Sequence, residues 1–220
     1  MIQIAPSLAS APMVHLAQVV QDLEAAGASI IHFDIEDGTF VPMMTLGTRI
    51  IGELRPLTRL PFDVHLMMRS PEWIIPEVVS LGANWVSVHY EACPYPHRTL
   101  RLIRQQGARA GLAFNPKTPL PDLRYLYRYL DFVLILTTEP EYPEADFLPD
   151  VLCKITDGRR MRGGQNVDWA VDGGITAENV GEAVGAGASV IVCGRGVFHN
   201  GALAQNMAAL RAAASASTSI

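Results

Sequence analysis

Short apolar runs with a period of two alternate along the chain with longer stretches whose apolar residues recur every three or four positions. The short runs predict strands at 2–6, 30–35, 62–66, 85–89, 109–114, 131–137, 167–172 and 189–193. The longer stretches predict helices at 12–26, 47–55, 71–80, 97–106, 119–129, 146–162, 176–186 and 202–213. Ser70-Pro71-Glu72 and Thr176-Ala177-Glu178 read as helix starts, and a Gly-Ala step recurs where helices should stop, at Gly27, Gly82, Gly107 and Gly187. One β/α unit therefore repeats around the chain. Eight units predict a single (β/α)8 barrel over residues 1–213, with its reactive groups at the C-terminal ends of the strands. A doubly wound open sheet is the alternative, but no Gly-x-Gly-x-x-Gly follows the first strand. Residues 214–220 are expected to fray as a small, polar tail.

The second strand carries the first chemistry. In Ile30-Ile31-His32-Phe33-Asp34-Ile35-Glu36-Asp37-Gly38, strand alternation puts His32, Asp34 and Glu36 on one face and Ile31, Phe33 and Ile35 on the other. An imidazole and a carboxylate two residues apart on a strand can reach one divalent ion; an edge strand with a wetted face would show the same pattern. Other strand ends add Ser7, His65 in Asp63-Val64-His65-Leu66-Met67, and Asp172 in Val171-Asp172-Gly173-Gly174. Two histidines and two carboxylates from three strands thus converge on one mouth, which favours the metal reading.

Charge and composition narrow the partners. The 220 residues carry 22 acidic and 17 basic side chains, a net charge of -5, with no basic run, which argues against a nucleic-acid surface. No apolar run approaches a membrane span and Met1 to Pro6 hold no signal-like segment, so a cytoplasmic location is expected. Cys93, Cys153 and Cys193 are expected to be reduced packing residues. Lysine is nearly absent: Lys117 and Lys154 stand apart from the cluster, which makes Schiff-base chemistry unattractive.

These motifs, with Ala5-Pro6-Ser7, Asp37-Gly38, Phe40-Val41-Pro42 and Asn115-Pro116, resemble the ribulose-phosphate 3-epimerase family, in the family's order, from about residue 4 to residue 200. The resemblance implies a TIM barrel of the ribulose-phosphate binding type. It also implies one divalent ion per chain, often zinc with manganese, iron or cobalt as options, held by His32, Asp34, His65 and Asp172. By the same resemblance Asp34 and Asp172 are the acid/base pair, Ser7 contacts substrate, and the chain forms a homo-oligomer. The residue types suit the reaction. Inverting C3 of a ketose removes a proton beside a carbonyl and returns one on the opposite face, so two acid/base groups must flank the carbon. Met43, Met44 and Met67 offer a soft apolar wall beside the substrate, with core or rim packing as the alternative, and His89 is read as a packed strand-end residue.

Two departures from the family's pattern stand out. Glu36 occupies a position where the family commonly has methionine, and a substrate hydroxyl is its favoured partner, ahead of an arginine or a retained proton. The glycine-rich phosphate loop after the sixth strand is replaced by Thr138-Glu139-Pro140-Glu141-Tyr142-Pro143-Glu144-Ala145-Asp146, which would repel a phosphate. The opposite half of that site remains as Gly173, Gly174 and Gly194, with Arg195 as an added cation or as an ion-pair partner of the acidic loop. The expected activity is metal-dependent C3 epimerisation of a ketose phosphate, either ribulose 5-phosphate or, slightly favoured by the departures, a related pentulose or hexulose phosphate. A non-catalytic sugar-phosphate binding barrel and an epimerase of an unphosphorylated ketose are the alternatives.

Overall fold

The computed structural model describes residues 2–140 and 146–217. Its eight strands are β1 (Gln3–Pro6), β2 (Ile31–Glu36), β3 (Phe62–Met67), β4 (Trp85–His89), β5 (Arg109–Phe114), β6 (Phe132–Leu136), β7 (Asp168–Asp172) and β8 (Val190–Cys193). All pair in parallel, each with its neighbour in sequence from β2 to β8, and β8 pairs with β1. The circuit closes where Ser7, just past β1, bridges His32 in β2. The predicted (β/α)8 barrel is the observed architecture, and each predicted strand boundary falls within one residue of the observed one.

Alternation builds two apolar layers. Side chains such as Ile31, Phe33, Val64 and Val86 point outward and pack beneath the helices. Those facing the axis, among them Ala5, Trp85, Phe132, Leu134, Ala170 and Val192, fill the barrel interior. Burying each of the larger side chains contributes about 1.5–3 kcal/mol. This plug closes the lower barrel, so the polar inward residues of β2, β3 and β7 meet only at its C-terminal mouth.

The helices are α1 (Leu16–Ala25), α2 (Arg49–Leu54), α3 (Ile75–Ser80), α4 (Pro96–Gln105), α5 (Cys153–Arg160), α6 (Val180–Ala186), α7 (Arg195–Phe198) and α8 (Leu203–Ala216). Gly27, Gly82, Gly107 and Gly187 follow α1, α3, α4 and α6 with φ between +80° and +113°, the left-handed turn that lets the chain leave a helix without a side-chain clash.

Several expectations fail. Residues 119–129 form an irregular segment followed by turns over 124–129 instead of a helix. Pro119 and Pro121 remove amide donors and restrict the residues before them, and the residues after them close i→i+3 bonds such as Leu126 N to Leu123 O. The buried Leu123, Leu126 and Leu130 produced the helical spacing. Ser70 caps nothing with its side chain, and α1, α3, α5 and α6 begin four to seven residues later than expected, α1, α3 and α5 behind short 3-10 turns. The first residues of the expected tail, 214–216, end α8 with Ala214 buried; residues 218–220 lie outside the described ones. Cys93 and Cys193 are buried but Cys153 is exposed, so it is not a packing residue.

Candidate active site

Strand register assembles the polar cluster. β2 and β3 pair with His32 opposite Asp63 and Asp34 opposite His65, so four inward side chains form two adjacent rungs, and Asp172 at the end of β7 faces the upper one. The Nε2 of His32 and the Nδ1 of His65 each lie 3.2 Å from Asp34 Oδ1 and 3.8 Å from Asp172 Oδ2. One donor atom from each of the four residues falls within 4.8 Å of the rest. Four ligands bound tetrahedrally to one zinc at about 2.0–2.1 Å would lie about 3.4 Å apart, so the spacing and the two-nitrogen, two-oxygen donor set fit a divalent ion.

Asp63 was passed over in the sequence although the same alternation puts it on the inward face. Its Oδ2 accepts from His32 Nδ1 at 2.8 Å, which leaves Nε2 facing the cluster. Burial alone would lower the His32 imidazole, but Asp34 and Asp63 beside it outweigh that and raise it well above its usual value. Asp34 and Asp172 are pushed apart. Burial would raise Asp34, yet His32 and His65 overcome it and hold the carboxyl below the usual carboxylate range. Burial and the neighbouring charge of Asp34 push Asp172 up to about 6. Without a cation, the pair thus shares the site as one ionised and one readily protonated carboxyl.

A cavity of about 330 Å³ opens above the cluster. Its walls include every substrate-contact residue expected from sequence: Ser7, Glu36, Met67, Gly173, Gly174, Gly194 and Arg195, around Asp34 and Asp172. Ser7 donates to Asp34 Oδ2 at 2.6 Å. Glu36 accepts the Thr45 amide at 2.6 Å through Oε2, a partner that sequence spacing did not indicate. Met43 joins the wall, whereas Met44 is 77% exposed and does not.

At the far end of the cavity Gly173 turns with φ +114°, and a Cβ there would collide with Thr138, so only glycine brings its backbone this close to the segment that follows β6. Gly174 is held by Asn179, which donates to the Gly174 carbonyl and accepts the Thr176 amide. Arg195 opens α7 beside Gly194. Of the acidic loop, Thr138, Glu139 and Pro140 line the cavity; residues 141–145 lie outside the described ones, and so does any pairing of Arg195 with them. None of the described helices is long and apolar enough to cross a membrane. Lys154 stands away from the cluster, donating to the carbonyls of Asn115 and Pro116.

Comparison with known proteins agrees with the geometry. The chain is 41% identical over 201 residues to the ribulose-phosphate 3-epimerase of Bacillus subtilis, covering 90% of this chain and 93% of that protein. It is 38% identical to the ribulose-phosphate 3-epimerase of Escherichia coli (strain K12), covering 89% and 88%. A solved 3-hexulose-6-phosphate synthase shares the fold with a TM-score of 0.68 at 16% identity, over 96% of this chain and 99% of that one. The Ribulose-phosphate 3 epimerase family matches residues 3–198: the chain belongs to that family and is an epimerase.

Proposed function

We propose that the chain interconverts ribulose 5-phosphate and xylulose 5-phosphate by moving a proton at C3, with His32, Asp34, His65 and Asp172 holding one divalent ion. The observation that carries this reading is the convergence of two carboxylates and two imidazoles, at 3.2 to 3.8 Å, on the floor of one cavity. A bound ion supplies Lewis acidity for the negative charge that develops on the ketose oxygens. Asp34 and Asp172 hold and move the proton, one removing it from C3 and the other returning one to the opposite face. Ser7, donating to Asp34, keeps that carboxylate oriented. Glu36 and Met67 line the sugar end; the amides near Gly173, Gly174 and Gly194, with Arg195, take the phosphate.

Identity near 40% to proteins named for ribulose phosphate outweighs the lean toward another ketose phosphate that Glu36 and the acidic loop suggested. The complete donor set opposes a non-catalytic barrel, which would be free to lose Asp34 or Asp172. Zinc as the ion, a cytoplasmic location and a homo-oligomeric chain belong to the same reading, zinc being favoured by the near-tetrahedral spacing. Incubating the zinc-loaded protein with ribulose 5-phosphate should produce xylulose 5-phosphate to equilibrium. Chelation should stop the reaction and zinc restore it. Full activity in protein verified to be metal-free would refute the metal dependence.

A further inference from the structure

The two histidines offer opposite nitrogens to the cluster, Nε2 from His32 and Nδ1 from His65. Each therefore needs the opposite tautomer to present a lone pair. Asp63 settles the matter for His32. For His65 a second chain of buried polar groups leads away from the cluster into β4 and the turn after it. His65 Nε2 lies 2.8 Å from His89 Nε2, and His89 Nδ1 lies 3.2 Å from Glu91 Oε2. Both rings are fully buried. The His89 ring is also packed by Phe40, with centroids 4.6 Å apart. The other oxygen of Glu91 accepts the Asn115 amide at 2.9 Å and the Thr118 hydroxyl. Lys154 pins that segment by donating to the Asn115 and Pro116 carbonyls at 2.8 Å each.

The direction of every bond in this chain is set from one end. An ionised carboxylate only accepts, so His89 must carry its proton on Nδ1. With that proton on Nδ1, the His89 Nε2 that lies 2.8 Å from His65 Nε2 is left to accept, since one nitrogen of the pair must donate and the other accept. The His65 proton is thereby placed on Nε2, and the Nδ1 lone pair is left facing Asp34 and Asp172.

We propose that His89 and Glu91 are positioning residues that set the tautomer of His65, making its Nδ1 a ligand for the divalent ion. The proposal rests on the metal reading above. Carboxylate-backed histidines of this kind typically change metal affinity by about 10- to 100-fold when the backing group is altered.

Glu91→Gln is the discriminating variant, because its single amide oxygen is claimed by the Asn115 N–H. Its NH2 then faces His89 Nδ1 and asks that atom to accept, while zinc-bound His65 asks His89 Nε2 to accept as well. A neutral imidazole cannot do both. Zinc affinity, measured by competition with a chromophoric chelator, should fall about 10- to 100-fold in Glu91→Gln. His89→Leu should lose as much. His89→Gln, whose amide can accept from His65 and donate to Glu91, should recover most of the affinity, which a purely packing role would not predict. In zinc-loaded wild type labelled with 15N histidine, long-range 1H–15N correlations should place the His89 proton on Nδ1; this readout stands even if Glu91→Gln does not fold. A His89 proton on Nε2, or a folded Glu91→Gln with wild-type zinc affinity, would overturn the positioning role alone. Wild type that binds no zinc would overturn the metal reading itself.

Discussion

Asp63 Oδ2 lies 2.8 Å from His32 Nδ1 across the β2–β3 ladder, so the strand that supplies one histidine of the cluster also orients the other. The second oxygen, Asp63 Oδ1, is buried without a hydrogen-bond partner among the described residues. Asp63→Asn keeps the shape but removes the charge that holds His32 in place. The variant should fold and lose about 10- to 100-fold in zinc affinity, read by chelator competition alongside circular dichroism. Wild-type affinity would make Asp63 a packing residue.

Asp34→Asn and Asp172→Asn should each lower turnover by at least about a hundredfold, the lower range for loss of a positioned acid or base. Both residues are also proposed ligands, so metal content must be measured on the same samples. A variant that keeps its zinc and loses its rate supports the acid/base assignment, and wild-type turnover in either refutes it.

Arg195 stands exposed at the cavity rim, where water weakens an ion pair with phosphate. Arg195→Ala should therefore raise KM for a phosphorylated ketose about five- to tenfold, equivalent to about 1–1.4 kcal/mol. The KM for the unphosphorylated sugar should change little. Equal effects on both sugars would give Arg195 a structural role and favour a free sugar as substrate.

Burial pushes the thiols of Cys93 and Cys193 up to about 12, with Asp172 adding to the effect at Cys193. Cys153 is exposed. Because the thiolate is the reactive form, one thiol per chain should react quickly with a disulfide reagent at about pH 8, and all three after denaturation. Fast reaction of three thiols in the native protein would contradict the packing around β8 and the turn before α4.

The sequence was most readable where period-two alternation coincided with chemistry. The inward placement of His32, Asp34 and His65 was legible because a strand leaves each inward residue only one face to point to. Asp172 was set beside them because it ends β7, and reactive groups gather at strand ends in this architecture. Asp63 was missed because register, which sets it beside His32, is a property of two strands and is not written in either one. His89 and Glu91 were passed over for a related reason: their meaning lies in His65 and Asn115, 24 residues away on either side. The false helix at 119–129 came from leucine spacing that turns can also satisfy. Residues 214–216 were read as tail because alanine was taken as merely small, when it is the strongest helix former and Met207, Leu210 and Ala214 give α8 a buried face.

The most direct test of the account is solvent deuterium exchange at C3 of ribulose 5-phosphate, followed by NMR in D2O with zinc-loaded and zinc-stripped protein. The exchange reports proton removal itself, independently of which product accumulates. The zinc-loaded protein should incorporate one deuterium at C3 in both ribulose 5-phosphate and xylulose 5-phosphate, and the stripped protein none until zinc returns. Xylulose 5-phosphate formed without deuterium at C3, or exchange undiminished in the stripped protein, would contradict it.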